Sequence, residues 1–254
     1  MRTILATLFI FVTVGVAHAD PAADLADQAS KLHREAQKTK EPQKYESAHQ
    51  LYQQYLRQYP AGAVAAEIAY FDAELEFARQ HYDEAARLYD QSITREPKGK
   101  YTQEAAYALV ISVKNAAHLD DHKVPDAGAP CPPPPTVCTI TPDFTRMLAA
   151  FDRYLAVVAQ SEERPNIEYR RARIYYEFNQ LDKAAPLFDA IVARYPQHEL
   201  AVYSANLEMD CLAILKRYDQ LRGLVARLKK SPVMHDATVR EQVEQMEKGL
   251  KKKP

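Results

Sequence analysis

Apolar residues recur along this chain at helical spacing, and the same apolar pattern returns at a fixed interval. Tyr82, Ala85 and Tyr89 fall at i, i+3 and i+7, one face of a helix, and Pro97 closes the run. The pattern stands upstream as Tyr45, Ala48 and Tyr52, closed by Pro60, and downstream as Leu181, Ala184 and Phe188, closed by Pro196. A weaker copy runs Tyr218, Leu221 and Leu224 to Pro232, so the period is about 37 residues. A fixed period of this size predicts stacked helical units that bury their faces only against neighbours.

Taken in order, the stripes predict helices over Ala22 to Lys40 and Tyr45 to Tyr59, then Ala63 to Arg79 and Tyr82 to Arg95. In the first of these, Leu25, Ala29, Leu32 and Ala36 form the inward stripe. A third pair opens with Tyr101 to about His118, carrying Ala105, Leu109 and Val113 inward. Residues 119–143 then hold Pro125, Gly128, Pro130, Pro132 to Pro135 and Pro142, which no regular helix accommodates. The stripe resumes as Phe144, Met147, Phe151 and Leu155, so 119–143 reads as an insertion inside the third pair. The fourth pair spans Ile167 to Phe178 and Leu181 to Tyr195, with Pro186 placed near the start of its second helix. The fifth spans Glu199 to Leu215 and Tyr218 to Lys229. Residues 233–254 supply a cap: Val239, Val243, Met246 and Leu250 share a face over Asp236 to Leu250, before a lysine-rich tail.

Residues 1–19 stand apart. Arg2, the apolar run Ile4 to Ala17, and Ala17-His18-Ala19 have the charge, length and small-residue spacing of a signal peptide cleaved after Ala19. No cysteine lies near that point, so a lipoprotein anchor is not expected, and the product is expected to be exported and periplasmic. It would begin Asp20-Pro21, a natural helix start. Six glycines in 254 residues disfavour a turn-rich β fold, and a net charge of −1 offers no field for nucleic acid or an anionic membrane.

The small Ala73 with Tyr82, Ala85, Tyr89 and Pro97, and Ala172 with Tyr175, Ala184, Phe188 and Pro196, resemble the tetratricopeptide repeat family over roughly residues 22–232. The Tyr-Pro endings at 59–60 and 195–196, with the leader, look like periplasmic members such as outer-membrane assembly lipoproteins and the Tol–Pal coordinator. Ser92, Ile191 and Met147 depart from the family's small residues. The resemblance implies an all-α, right-handed superhelical solenoid of antiparallel pairs whose first helices line a concave groove. The implied groove positions are Tyr70, Glu74 and Phe77, then Tyr107, Ile111 and Lys114, then Tyr169, Arg173 and Tyr176, then Asn206 and Asp210. The recurring tyrosine is either an aromatic ladder for an extended or helical peptide or an interrepeat packing residue. The Lys and Asn pairs with which some members clamp a C-terminal carboxylate are missing.

Other chemistry is sparse. His118-Leu119-Asp120-Asp121-His122 has a metal-tolerant spacing but falls where a helix should end in polar residues, so no metal is expected there. Glu162 and Glu163 sit in a connection and read as solvated. No phosphate loop, HExxH or Gly-x-Ser-x-Gly occurs, and no cofactor is expected. Cys131 and Cys138 are expected to pair in an oxidising compartment, with Cys211 left reduced and buried; the competing arrangement is a bond from either loop cysteine to Cys211. Closing the Cys131–Cys138 ring needs a sharp reversal after Pro135, or a cis proline that shortens the outward arm. The expected function is a non-catalytic envelope scaffold or adaptor binding protein partners through the groove and the inserted loop. The alternatives are a self-assembling envelope component and an accessory subunit of a metal-dependent enzyme.

Overall fold

The structure, a computed structural model, describes residues 20–119 and 131–251. The expected leader, residues 120–130 of the insertion with Asp120, Asp121 and His122, and the last three residues lie outside the described residues. The fold is all-α: among the described residues there are eleven α-helices, one 3-10 turn and no strand. The helices are α1 Pro21–Thr39, α2 Pro42–Gln58, α3 Ala65–Ala78, α4 Tyr82–Arg95, α5 Thr102–Ala116, α6 Pro142–Val157, α7 Arg164–Glu177, α8 Leu181–Arg194, α9 Glu199–Ile214, α10 Tyr218–Leu228 and α11 Ala237–Leu250. Successive helices pack as pairs, and each first helix after α1 also rests on the second helix of the pair before it. The first helices are therefore covered on two sides. In α3 this buries Ala65, Ile68, Ala69, Tyr70, Asp72, Ala73, Leu75 and Glu76, too wide an arc for a surface helix. α11 packs on α10 and α9 and closes the stack.

Asp20 caps α1, accepting from the Ala22 amide at 3.0 Å, with Pro21 in the first turn. The inward stripe of α1 is Leu25, Ala29, His33 and Ala36; His33 replaces the expected Leu32, which is half-buried. The ring is kept inside by Tyr52, whose hydroxyl lies 3.1 Å from Nδ1, and burial pushes the imidazole down to about 4. Several expected placements shift: α2 begins at Pro42 instead of Tyr45, and α3 at Ala65 instead of Ala63. α7 begins at Arg164 instead of Ile167, because the Arg164 guanidinium folds back onto the carbonyls of Leu155 and Val158 and onto Glu168 at 2.9 Å. Pro186 is the sixth residue of α8, not a first-turn residue, so one internal hydrogen bond of that helix is missing.

Four first helices stop in the same way without a glycine. Gln80, His118, Asn179 and Lys216 adopt positive φ of 64°, 50°, 54° and 56°. The amide after each returns to the carbonyl five residues back: His81 to Glu76, Leu119 to Lys114, Gln180 to Tyr175 and Arg217 to Leu212, at 2.8–3.1 Å. A Cβ in this conformation costs about 1–2 kcal/mol. We expect Lys216→Gly, at an exposed position, to raise stability by about 0.5–1 kcal/mol after glycine's own entropy is counted. Urea midpoints check this; a lower midpoint would refute the assignment of strain there.

The core divides within α7. Ile167 and Ile174 belong to a cluster running back to Leu25, whereas Ala172 belongs to one running forward to Leu250, and Tyr175 packs against both. The described part of the insertion docks on this same element. Asn179 Nδ2 donates to the carbonyls of Pro132 at 2.8 Å and Thr136 at 2.7 Å, and the Cys138 amide donates to Phe178 O at 3.0 Å. Cys131 and Cys138 are brought together with Cα atoms 6.0 Å apart, and the Pro134–Pro135 peptide is cis. Cys211 is a free, buried thiol.

Candidate partner-binding face

The tyrosine of the first-helix register is not used alike in each repeat. Tyr70 was expected to be an exposed groove residue; it is 3% exposed and part of the core. Its ring stacks on Tyr101 at 4.5 Å, nearly parallel, and lies 6.0 Å from Tyr89. Tyr101 is the residue that caps the next first helix, so a tyrosine from repeat three closes over the tyrosine of repeat two. At the equivalent cap of α7 stands Glu163, which is exposed and offers no ring. Tyr107 accordingly stays 36% exposed, with Tyr154 at 6.4 Å beneath it.

Glu74 and Phe77 are half-buried. Glu74 accepts from Tyr89 Oη at 2.5 Å, and burial raises its carboxyl above the usual range against the pull of the Tyr89 and Tyr70 hydroxyls. Phe77 meets Tyr82 edge-on at 5.3 Å. Ile111 and Lys114 are half-buried, and Lys114 lines a shallow recess with Tyr82, Asn115 and His118. Tyr169, Arg173 and Tyr176 form one cluster on α7. Arg173 donates to Tyr169 Oη at 3.3 Å and pairs with Glu177, and both tyrosines pack on Phe188. Burial pushes the Tyr176 hydroxyl up to about 12.

Asn206 and Asp210 also depart from expectation. Gln242 of α11 donates to the Asn206 carbonyl at 3.4 Å and to Asp210 Oδ1 at 3.1 Å. These two positions lie under the terminal cap, and burial raises the Asp210 carboxyl. The residue that the register missed is Tyr203, one turn earlier on α9. It is 54% exposed and its ring lies 6.4 Å from Tyr169. It escaped notice because the family register pointed to Asn206, and no local sequence signal marks Tyr203 as outward. The exposed aromatics of this face are thus Tyr107 and Tyr203, with half-buried Tyr169 and Tyr176 between them. A recess of about 410 Å³ lined by Ser30, His33, Arg34, Tyr52 and Phe71 lies between α1 and α3.

The face formed by the second helices is different in kind. Asp83 and Asp90 of α4 pair with Arg146 and Arg153 of α6, and Asp182 and Asp189 of α8 pair with Arg217, the cap of α10, and Arg227 of α10. The acids recur at the second and ninth positions of their helices, which makes a ladder between successive second helices. Exposed pairs of this sort contribute about 0–1 kcal/mol each, so they set register more than stability.

Residues 168–198, covering most of α7 and all of α8, match the tetratricopeptide repeat family model. No curated protein matches the sequence. Among solved structures, a fragment of MamA from Desulfovibrio magneticus RS-1 is 12% identical with a TM-score of 0.39, covering 92% of this chain and 98% of that one. Kinesin light chain repeats of Podosopora anserina are 13% identical with a TM-score of 0.37, covering 92% and 100%. PilW, described as a type IV pilus biogenesis factor, is 16% identical with a TM-score of 0.29, covering 81% and 93%.

Proposed function

We propose that this protein is an exported, non-catalytic scaffold of the tetratricopeptide type, acting in the cell envelope by binding an extended segment of a protein partner. The observation that carries this reading is the aromatic face of the first helices. Large rings at Tyr107 and Tyr203 are exposed at 36% and 54% on helices whose other large aromatics, Tyr70, Tyr169 and Tyr176, are buried or half-buried, and such rings are frequent binding hot spots. Export rests on residues 1–19 read as a leader cleaved after Ala19. It also accommodates an oxidised Cys131–Cys138 pair, which would hold the docked loop rigid as a second recognition element beside α7. No helix among the described residues is long and apolar enough to cross a membrane.

The test is affinity capture with crosslinking from the native envelope, followed by binding measurements on the captured partner. Tyr107→Ala and Tyr203→Ala should each weaken affinity by about 2 kcal/mol, roughly 30-fold, with little change in melting temperature. Tyr70→Ala should do the reverse, lowering Tm because it empties a stacked core site. Unchanged affinity in both surface variants would end this reading of the face.

A further inference from the structure

A second group of side chains, gathered on α3 and its two neighbouring helices, has a composition that the scaffold reading does not use. Asp72 and Glu76 lie one turn apart on α3 and are 0% and 2% exposed. His49 of α2 faces both: its Nδ1 is 2.8 Å from Asp72 Oδ1 and 3.5 Å from Glu76 Oε1. His81, at the start of α4, places Nδ1 2.7 Å from Glu76 Oε2. Its position is fixed by the positive-φ turn at Gln80, which returns the His81 amide to the Glu76 carbonyl at 2.9 Å.

We propose that His49, Asp72 and Glu76, with His81 as the fourth donor, form a structural site for a first-row divalent cation of the zinc class. The donor atoms of the first three all lie within 4.8 Å of one another. Metal–ligand bonds of ~2.0–2.1 Å in a tetrahedron put donors about 3.3 Å apart. The His49–Glu76 separation already fits, and the His49–Asp72 pair, now joined by a hydrogen bond, opens by about 0.5 Å when the metal replaces the proton on Nδ1. Mixed imidazole and carboxylate ligands suit zinc-like ions better than calcium or magnesium, which take oxygen alone. The outer ring is also built. Gln53 Nε2 donates to Asp72 Oδ2 at 2.6 Å, orienting that carboxylate with its other oxygen toward His49. The His81 side chain is 53% exposed, which leaves a path for entry.

Charge counting leaves room for a dication. Fully ionised, Asp72, Glu76 and the adjoining Glu46 would carry three negative charges, and the guanidinium touching two of them is Arg79, 2.6 Å from Glu76 Oε1 and 2.7 Å from Glu46 Oε2. Two positive charges are missing, which either one divalent ion or two imidazolium rings would supply. Arg79 competes with the ion for Glu76 Oε1, and it can withdraw to Glu46, which it already holds. The ion would then join α2, α3 and the start of α4, fastening the first pair to the second.

The experiment titrates Zn2+ and Co2+ into chelator-stripped protein that carries no affinity tag. One equivalent should bind, raise Tm by several degrees and give tetrahedral Co2+ visible bands. His49→Gln should weaken binding at least ~100-fold, beyond the ~10–100-fold of an outer-ring loss. Arg79→Gln, which removes the competing cation, should tighten it. X-ray absorption of the zinc-loaded wild type should show imidazole and oxygen ligands without sulfur, a reading that needs no variant should His49→Gln fail to fold by circular dichroism. Absence of stoichiometric binding, retention of affinity in folded His49→Gln, no gain in Arg79→Gln, or sulfur at the metal would each overturn the site and leave a proton-filled ion-pair cluster in its place.

Discussion

Glu208→Gln should leave stability nearly unchanged below pH 4.5 and raise it progressively up to about pH 8, above which the gain levels off. Glu208 lies on α9, 4% exposed, and its Oε2 is a buried oxygen without a hydrogen-bond partner. It lines a cavity of about 370 Å³ with Asp182, Asp189, Arg217 and Arg227. Burial chiefly, and then the charge of Asp189, push its carboxyl up to about 8 from 4.5, against a weaker downward pull from Arg227 at 3.5 Å. The unfolded chain releases this proton near pH 4.5, while the folded chain keeps it to about pH 8. The folded state therefore binds more protons throughout that window, and stability must fall as pH rises through it. At about 1.4 kcal/mol per unit, the loss amounts to roughly 3–5 kcal/mol at the plateau. Gln carries no proton to lose, so the variant escapes the decline. Asp72, Glu74 and Asp210 are also raised, but they remain in both proteins and cancel in the difference. Urea unfolding of both proteins across pH measures it. A difference independent of pH would mean that Glu208 is ionised in the folded state at neutral pH.

The helical plan was legible because burial in a stack imposes a period on the sequence, and α4 begins and ends at the expected residues, Tyr82 and Arg95. Helix ends were less legible where the stop is made by the backbone. Gln80, His118 and Lys216 turn at positive φ although none is a residue that announces such a turn. The face was least legible. Tyr70 and Tyr107 occupy one register, yet one is core and the other is 36% exposed, and the difference lies in the following repeat, where Tyr101 covers the first and the equivalent cap, Glu163, offers no ring to the second. That relation needs the pairing of helices in space and has no local signature. The same holds for Asn206 and Asp210, whose cover comes from Gln242, and for the carboxylates Asp72, Glu76 and Glu208, which read in sequence as polar helix positions and are buried. A charged residue on a helix with two covered sides is legible as buried only once both neighbours are known.

Ala85→Leu should destabilise the protein by about 1–3 kcal/mol, and Met147→Ala by about 2–5 kcal/mol, although the two residues occupy one position of the repeat. That position is held by Ala48, Ala85 and Ala184, all 0% exposed, and by Met147 and Leu221 at 4% and 2%. Every one is interior, so side-chain volume must match the local gap between helices. Where the repeat carries alanine, three added heavy atoms have no room in a close-packed interior and force off-rotamer side chains or a shift of α4. Where it carries methionine, truncation leaves a void near Phe144, Phe151 and Leu148 that rigid helices fill only in part. Glu84→Leu is the control: its carboxylate pairs with Arg87 at the surface, an interaction of about 0–1 kcal/mol, so its midpoint should barely move. The comparison is made on urea midpoints at unchanged m, which isolates stability from changes in the unfolded state. If Ala85→Leu unfolds at the same urea concentration as Glu84→Leu, the inner face of α4 has been misassigned. If Met147→Ala is stabilised instead, α5 and α6 are free to close to the spacing that alanine sets in the other pairs.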